Sequence, residues 1–265
     1  MNVSSNGATL NAHIEGPNDA PWLILSHGVA TNLSMWDGAA SALNQHYRVL
    51  RYDTRGHGQS QATTGDYTLD QLADDVIGMM NSLQIARANF CGLSLGGMTG
   101  LGLALDHADR FDSVIVADAR AVAVPAYRDA WAQRAAAARA GGIDTLVEPS
   151  VSRWFTDAFR ASQKDEIARV EAMVRATSVD GYCGCASALA GLNYAPRLGE
   201  IRLPVLYLVG AEDQGAPPAV MYEMHEATPN SRYVEIADAG HLSAVDQSAA
   251  FARAVLDFLA STTSR

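Results

Sequence analysis

The stretch from Ala88 to Leu105 constrains this chain more than any other. Ala88-Asn89-Phe90-Cys91 reads as the end of a strand, Met98 to Leu105 reads as a helix, and Gly92-Leu93-Ser94-Leu95-Gly96 joins them within a few residues. A strand that turns into a helix this abruptly holds the intervening serine in a strained backbone conformation, with its hydroxyl projecting from the top of a sheet. Small residues are needed two positions either side, because strand and helix backbones nearly touch there, and Gly92 and Gly96 meet that demand. A bare Gly-x-Ser-x-Gly arises often by chance. The strand before it and the helix after it are what make Ser94 a candidate nucleophile.

The rest of the chain supplies the sheet that such a turn requires. Thr9 to Glu15 alternates as a strand and ends at Gly16-Pro17, and Trp22 to Ser26 is a continuous apolar run of the kind found in buried parallel strands. The run leads into His27-Gly28-Val29-Ala30, and Ser34 is expected to cap a helix carrying Met35, Trp36 and Leu43. Further strands are expected at Tyr47–Tyr52, Ser113–Asp118, Pro204–Gly210 and Tyr233–Ile236. Helices are expected at Leu69–Leu83, Ala219–Ala227 and Ala249–Leu259. From about 121 to 197 the pattern is helical only, with an alanine-rich helix over Tyr127–Ala140, a segment from Ile143 to Phe159 broken at Pro149, and an amphipathic helix over Lys164–Ala176. The pattern predicts a doubly wound, mainly parallel α/β sheet made of residues 1–120 and 198–265, with 121–197 inserted between two strands as a helical lid. Ligands bind such sheets at the carboxyl ends of the strands, and Val29, Ser94, Asp118, Asp213 and His241 all follow expected strands.

Composition narrows the chemistry. A length of 265 residues with 48% hydrophobic content is enough for one large unit with a substantial core. The formal charge of −10 argues against nucleic acid or an anionic membrane as partner, since either requires clustered Lys and Arg. Three cysteines, two of them as Cys183-x-Cys185, match neither a disulfide framework nor a four-ligand zinc site, so a reduced cytoplasmic protein without a metal is expected. No apolar run approaches the length of a membrane span, and Met1 to Gly7 lacks the features of a signal peptide.

A serine hydroxyl is a weak nucleophile at neutral pH and needs a base, itself oriented by a carboxylate. His241, in Ala239-Gly240-His241-Leu242 after the last strand, is the favoured base among seven histidines. His27 and His57 sit in glycine-rich loops as shaping residues, and His13, His46, His107 and His225 fall on element ends. Two carboxylates compete for the acid. Asp213 follows the strand after the insertion and suits the chain order nucleophile, acid, base; Asp118 follows the strand before it and is the reserve, with Glu212 behind both. The tetrahedral intermediate needs N–H donors, for which Leu95 at a helix start and Val29 after His27-Gly28 are the candidates. The segment from Asp53 to Ser60 is expected to close a loop through hydrogen bonds of its Asp and Arg.

These residues, Ser26-His27-Gly28, Asp53-x-Arg55-Gly56-His57-Gly58-x-Ser60, Gly92-x-Ser94-x-Gly96-Gly97-Met98, Gly210-x-x-Asp213 and Gly240-His241, resemble the α/β-hydrolase superfamily along nearly the whole chain. Leu33-Ser34-Met35-Trp36, Leu50 to Gly58, Ala86 to Ser94 and Arg153-Trp154-Phe155-Thr156 resemble 3-oxoadipate enol-lactonases within it. That resemblance implies an α/β-hydrolase fold, no cofactor, and a small ester or lactone opened through an acyl-enzyme, with Ser94, Asp213 and His241 as triad. An anionic lactone would call for a cation, and Arg120, Arg128, Arg134 and Arg153 are available; Trp131, Arg134 and Trp154 are the expected substrate contacts. The same triad also serves hydrolytic carbon–carbon cleavage and perhydrolysis, and a non-catalytic binding protein can keep it. Serine rather than aspartate at position 94 argues against dehalogenase or epoxide hydrolase chemistry.

Overall fold

The computed structural model describes residues 1–262. Eight strands among them form one sheet: β1 (Asn2–Ser5), β2 (Ala8–Glu15), β3 (Trp22–Ser26), β4 (Arg48–Tyr52), β5 (Ala88–Leu93), β6 (Phe111–Ala117), β7 (Val205–Gly210) and β8 (Ser231–Ile236). Their order across the sheet is β1-β2-β4-β3-β5-β6-β7-β8. The β1–β2 and β2–β4 pairs are antiparallel, and every pair from β4 to β8 is parallel. The central strands β5 and β7 are buried at every residue, which is why their sequences read as unbroken apolar runs.

The helices are α1 (Asp37–Leu43), α2 (Leu69–Ser82), α3 (Leu95–Asp106), α4 (Pro125–Gly141), α5 (Val147–Trp154), α6 (Asp157–Ser162), α7 (Lys164–Ala176), α8 (Val179–Ala190), α9 (Pro218–Ala227), α10 (Ser243–Asp246) and α11 (Ser248–Thr262). α1 packs on α11 and α2 packs on α3, so the sheet is covered by helices in layers. On α2 the buried residues Leu72, Val76, Met79 and Met80 make one apolar face, and Thr68 caps the helix by accepting the Gln71 N–H. α4 to α8 all lie between β6 and β7. Their two ends are pinned together by a bridge between Val122 and Asn193, with Ala123 N–H on the Leu192 carbonyl and Tyr194 N–H on the Ala121 carbonyl.

Several local expectations differ from the structure. Asn32, not Ser34, provides the cap: its side chain accepts the Ser34 N–H at the start of a 3₁₀ turn over Leu33–Trp36, and α1 follows. Pro149 does not break a helix, because it is the third residue of α5, where the missing N–H has no intrahelical acceptor to lose. The break comes at Phe155-Thr156, with Thr156 capping α6 through the Phe159 N–H. β1 had no expected counterpart; it is four residues long, too short for alternation to register.

The segment from Asp53 to Ser60 closes as its polar residues require. The Asp53 carboxylate accepts N–H groups from Leu33 at 2.7 Å and Gln59 at 2.8 Å and the Asn11 amide at 2.9 Å. Arg55 reaches Asp75 on α2 through Nε at 2.9 Å and Nη2 at 2.5 Å, with both side chains almost fully buried. Removing one partner strands the other charge in the core. Asp75→Ala is therefore expected to cost about 3–5 kcal/mol of folding stability. A urea melt reads this directly, and a loss below about 1 kcal/mol, the scale of an exposed pair, would contradict it.

Candidate active site

Ser94 stands between β5 and α3 with φ 55° and ψ −113°, a left-handed conformation that a non-glycine residue adopts only under constraint. Its N–H is held by the Ala117 carbonyl at 2.8 Å. A Cβ at Gly92 would overlap the Gly96 carbonyl, so strand and helix do meet there. A Cβ at Gly96 would instead overlap the Ser26 carbonyl at the end of β3. The second glycine is thus required by the neighbouring strand, a contact that the motif alone does not reveal.

Three loops bring the remaining groups to Ser94. His241 Nε2 lies 3.0 Å from the Ser94 hydroxyl, and His241 Nδ1 lies 2.9 Å from each Asp213 oxygen. All three residues are buried. Burial by itself would raise the Asp213 carboxyl, but the His241 charge, its hydrogen bond and the N–H groups of Ala216 and Gly215 outweigh it and hold Asp213 below the usual carboxylate range. An ionised Asp213 keeps the proton of a neutral imidazole on Nδ1 and leaves Nε2 free to accept from serine. The backbone of His241 is held separately, its N–H on the Trp154 carbonyl at the end of α5 at 2.7 Å.

Asp118 and Glu212 do not reach the imidazole. Asp118 is fully buried and spends its oxygens on Gly210 and Ser243, while Glu212 is exposed. Val29 lines the cavity above Ser94, and the Leu95 N–H opens α3, where no intrahelical acceptor exists. Gly28 is placed so that a Cβ there would sit 3.5 Å from the Ser94 Cβ. The turn owes its shape to His27. Its Nε2 accepts the Thr54 N–H at 2.9 Å, so Nδ1 carries the proton and donates to the Gly28 carbonyl at 2.7 Å. Burial lowers the pKa of His27, and His57 beside it is pushed down to about 3 by burial and by His27. Both are neutral shaping residues.

Ser94 and His241 open into a cavity of about 270 Å³. Trp131, Arg134 and Trp154 line it, as do Arg120 and Arg153, whereas Arg128 is exposed and outside it. No carboxylate lies within ion-pair distance of Arg120, Arg134 or Arg153 among the described residues. Arg153 is pulled down to about 10, first by burial and then by Arg134. The buried Trp131 indole N–H faces the Tyr127 hydroxyl, the two rings standing edge to face with centroids 5.9 Å apart. Sequence reasoning missed Tyr127, which also lines the cavity. Its spacing to Trp131 and Arg134, four and then three residues along α4, was the available signal. A larger groove of about 670 Å³ lies outside, walled by Asp37, Glu166, Arg169 and Asp246, and contains none of Ser94, Asp213 or His241.

A serine turn at the carboxyl end of a parallel sheet, with Asp213 and His241 beyond the ends of β7 and β8, defines a class. The chain belongs to the α/β-hydrolase fold family, whose model matches residues 21–247. Within that family it is 37% identical over 253 residues to 3-oxoadipate enol-lactonase 2 of Acinetobacter baylyi, covering 96% of this chain and 94% of the relative. It is 34% identical to 3-oxoadipate enol-lactonase 1 of the same organism, covering 98% and 97%. The crystal structure of the enol-lactonase from Burkholderia xenovorans LB400 superimposes with a TM-score of 0.95 at 40% identity, covering 98% of this chain and all of that one. Among the described residues, no helix is long and apolar enough to cross a membrane.

Proposed function

We propose that this chain is a serine hydrolase that opens a small carboxylate-bearing lactone of the 3-oxoadipate enol-lactone type through an acyl-enzyme. The observation that carries the reading is a cavity shared by the Ser94–His241 pair and three arginines without carboxylate partners among the described residues. Ser94 Oγ attacks the lactone carbonyl while His241 Nε2 takes its proton, and Asp213 stabilises the imidazolium. Val29 and Leu95 N–H groups receive the oxyanion. Collapse breaks the ring C–O bond and His241 returns the proton to the leaving enol oxygen, which stays tethered to the acyl chain. Tautomerisation of that enol to a ketone removes the nucleophile that would reclose the ring. His241 then activates water, and the acyl-enzyme yields a free carboxylate.

Helices α4 to α8 serve as the lid in this reading. Arg134 and Arg153 anchor the substrate carboxylate, and Trp131 and Trp154 supply the apolar walls. Three free, buried cysteines suit a reducing compartment, and we assign the chain to the cytoplasm. The test is a kinetic comparison of two substrates. Arg134→Ala and Arg153→Ala should each raise KM for the anionic lactone by about 10- to 100-fold, the loss of one charge-assisted hydrogen bond of about 1.5–3 kcal/mol. KM for a neutral ester such as p-nitrophenyl acetate should hold. Equal losses on both substrates would remove the arginines from carboxylate recognition.

A further inference from the structure

Asp118 follows β6 at φ 47°, a positive φ that few residues other than glycine adopt, and its side chain is completely buried. Such a residue persists only where its surroundings over-determine it. The surroundings are two distant loops. One carboxyl oxygen accepts the Gly210 N–H at 2.8 Å, at the strand end three residues before Asp213. The other accepts the Ser243 N–H at 3.3 Å and bonds the Ser243 hydroxyl, two residues after His241. One side chain thereby spans from the acid-bearing loop to the base-bearing loop.

The two loops have other links, in which Ala211 N–H meets the Ile236 carbonyl and Glu212 N–H meets the Ala239 carbonyl. Those bonds extend the β7–β8 ladder as far as Ala239, and Gly210 packs against the Ala239 and Gly240 carbonyls, all on the near side of His241. Gly240 is tied to Asp246 and His241 to the Trp154 carbonyl, but neither bond involves the acid loop. Asp118 joins Gly210 to Ser243, beyond His241. Burial, and then the charge of Asp213, raise its carboxyl well above the usual range, while Asp213 is held below it.

We infer that Asp118 is a positioning residue, a clasp that fixes the separation of the Asp213 and His241 loops and so keeps the line of hydrogen bonds from Asp213 to Ser94 aligned. The inference rests on the triad reading above. A misplacement of about 1 Å in such a line costs on the order of 100-fold in rate. Both oxygens of Asp118 are taken up by Gly210 and Ser243, so the loss should fall on kcat and leave KM for p-nitrophenyl acetate within about threefold.

The test compares Asp118→Ala, Asp118→Asn and Ser243→Ala with Ser94→Ala and Asp213→Asn, using p-nitrophenyl acetate hydrolysis and the NMR resonance of the His241 Nδ1 proton. Asp118→Ala should lower kcat about 100-fold and displace the resonance. Asp118→Asn keeps an acceptor for Gly210 and a polar group for Ser243, and should recover kcat to within about 10-fold of wild type, whereas Asp213→Asn should lose about 10⁴-fold. Ser243→Ala deletes one arm without opening a large cavity, and its kcat should fall about 10-fold; it carries the test where Asp118→Ala does not fold. Wild-type kcat and an unmoved resonance in Ser243→Ala and Asp118→Asn together would overturn the clasp. A loss in Asp118→Asn as deep as that in Asp213→Asn would overturn it too, by making Asp118 the charged acid. Activity surviving in Ser94→Ala would instead strike the triad reading itself, whatever the Asp118 variants do.

Discussion

Ser94→Ala is expected to lower kcat for p-nitrophenyl acetate by about a millionfold, the scale on which a serine triad loses its nucleophile. The size follows from the geometry. In the proposed mechanism the hydroxyl 3.0 Å from His241 Nε2 is the nucleophile, and its removal leaves only the oxyanion donors and binding. Alanine keeps the Cβ that the φ 55° turn already tolerates, so the fold and its thermal midpoint should survive. Steady-state kinetics on enzyme freed of wild-type contamination checks the prediction, and a loss smaller than about 100-fold would mean that another group attacks.

The second large effect is expected from Asp213→Asn, a fall in kcat of about 10⁴-fold. Asp213 Oδ1 also accepts the Gly215 N–H at 2.6 Å and the Ala216 N–H at 3.0 Å. In the asparagine variant the amide oxygen should keep those two bonds, which turns the NH₂ group toward His241 Nδ1. A donor facing Nδ1 forces the imidazole proton onto Nε2, where it can no longer accept from Ser94. The variant should fold normally and bind substrate with little change in KM. Comparable kcat in wild type and variant would show that Asp213 does not orient the base.

Much of this site could be read from residue types because the constraints there are backbone constraints. Gly92 and Gly96 sit where a Cβ would overlap a carbonyl, and only glycine satisfies such positions. Asp213 and His241 follow adjacent parallel strands, so chain order and the β7–β8 pairing carried them to Ser94 together. The arginines of α4 were visible as charges, but which of them face inward depends on helix rotation: Arg134 shares a face with Tyr127 and Trp131, and Arg128 does not. Other features left no trace in the sequence. The Trp154 carbonyl that holds His241 is a backbone group, which every residue possesses. The two arms of Asp118 close over 92 and 125 residues of separation, and an aspartate after a strand looks the same whether it orients an imidazole or ties two loops. Asn32 and Ser34 are both good caps by type; the backbone chose Asn32, which is extended at φ −149°.

The most direct measurement is turnover of 3-oxoadipate enol-lactone by the purified chain, with Ser94→Ala and a neutral ester run beside it. The kcat/KM for the lactone should fall in the enzymatic range of about 10⁴–10⁸ M⁻¹s⁻¹, well above that for p-nitrophenyl acetate, with 3-oxoadipate as product and no turnover in Ser94→Ala. Ser94-dependent hydrolysis of the ester with an untouched lactone would contradict the substrate assignment, and lactone opening that survives in Ser94→Ala would contradict the mechanism.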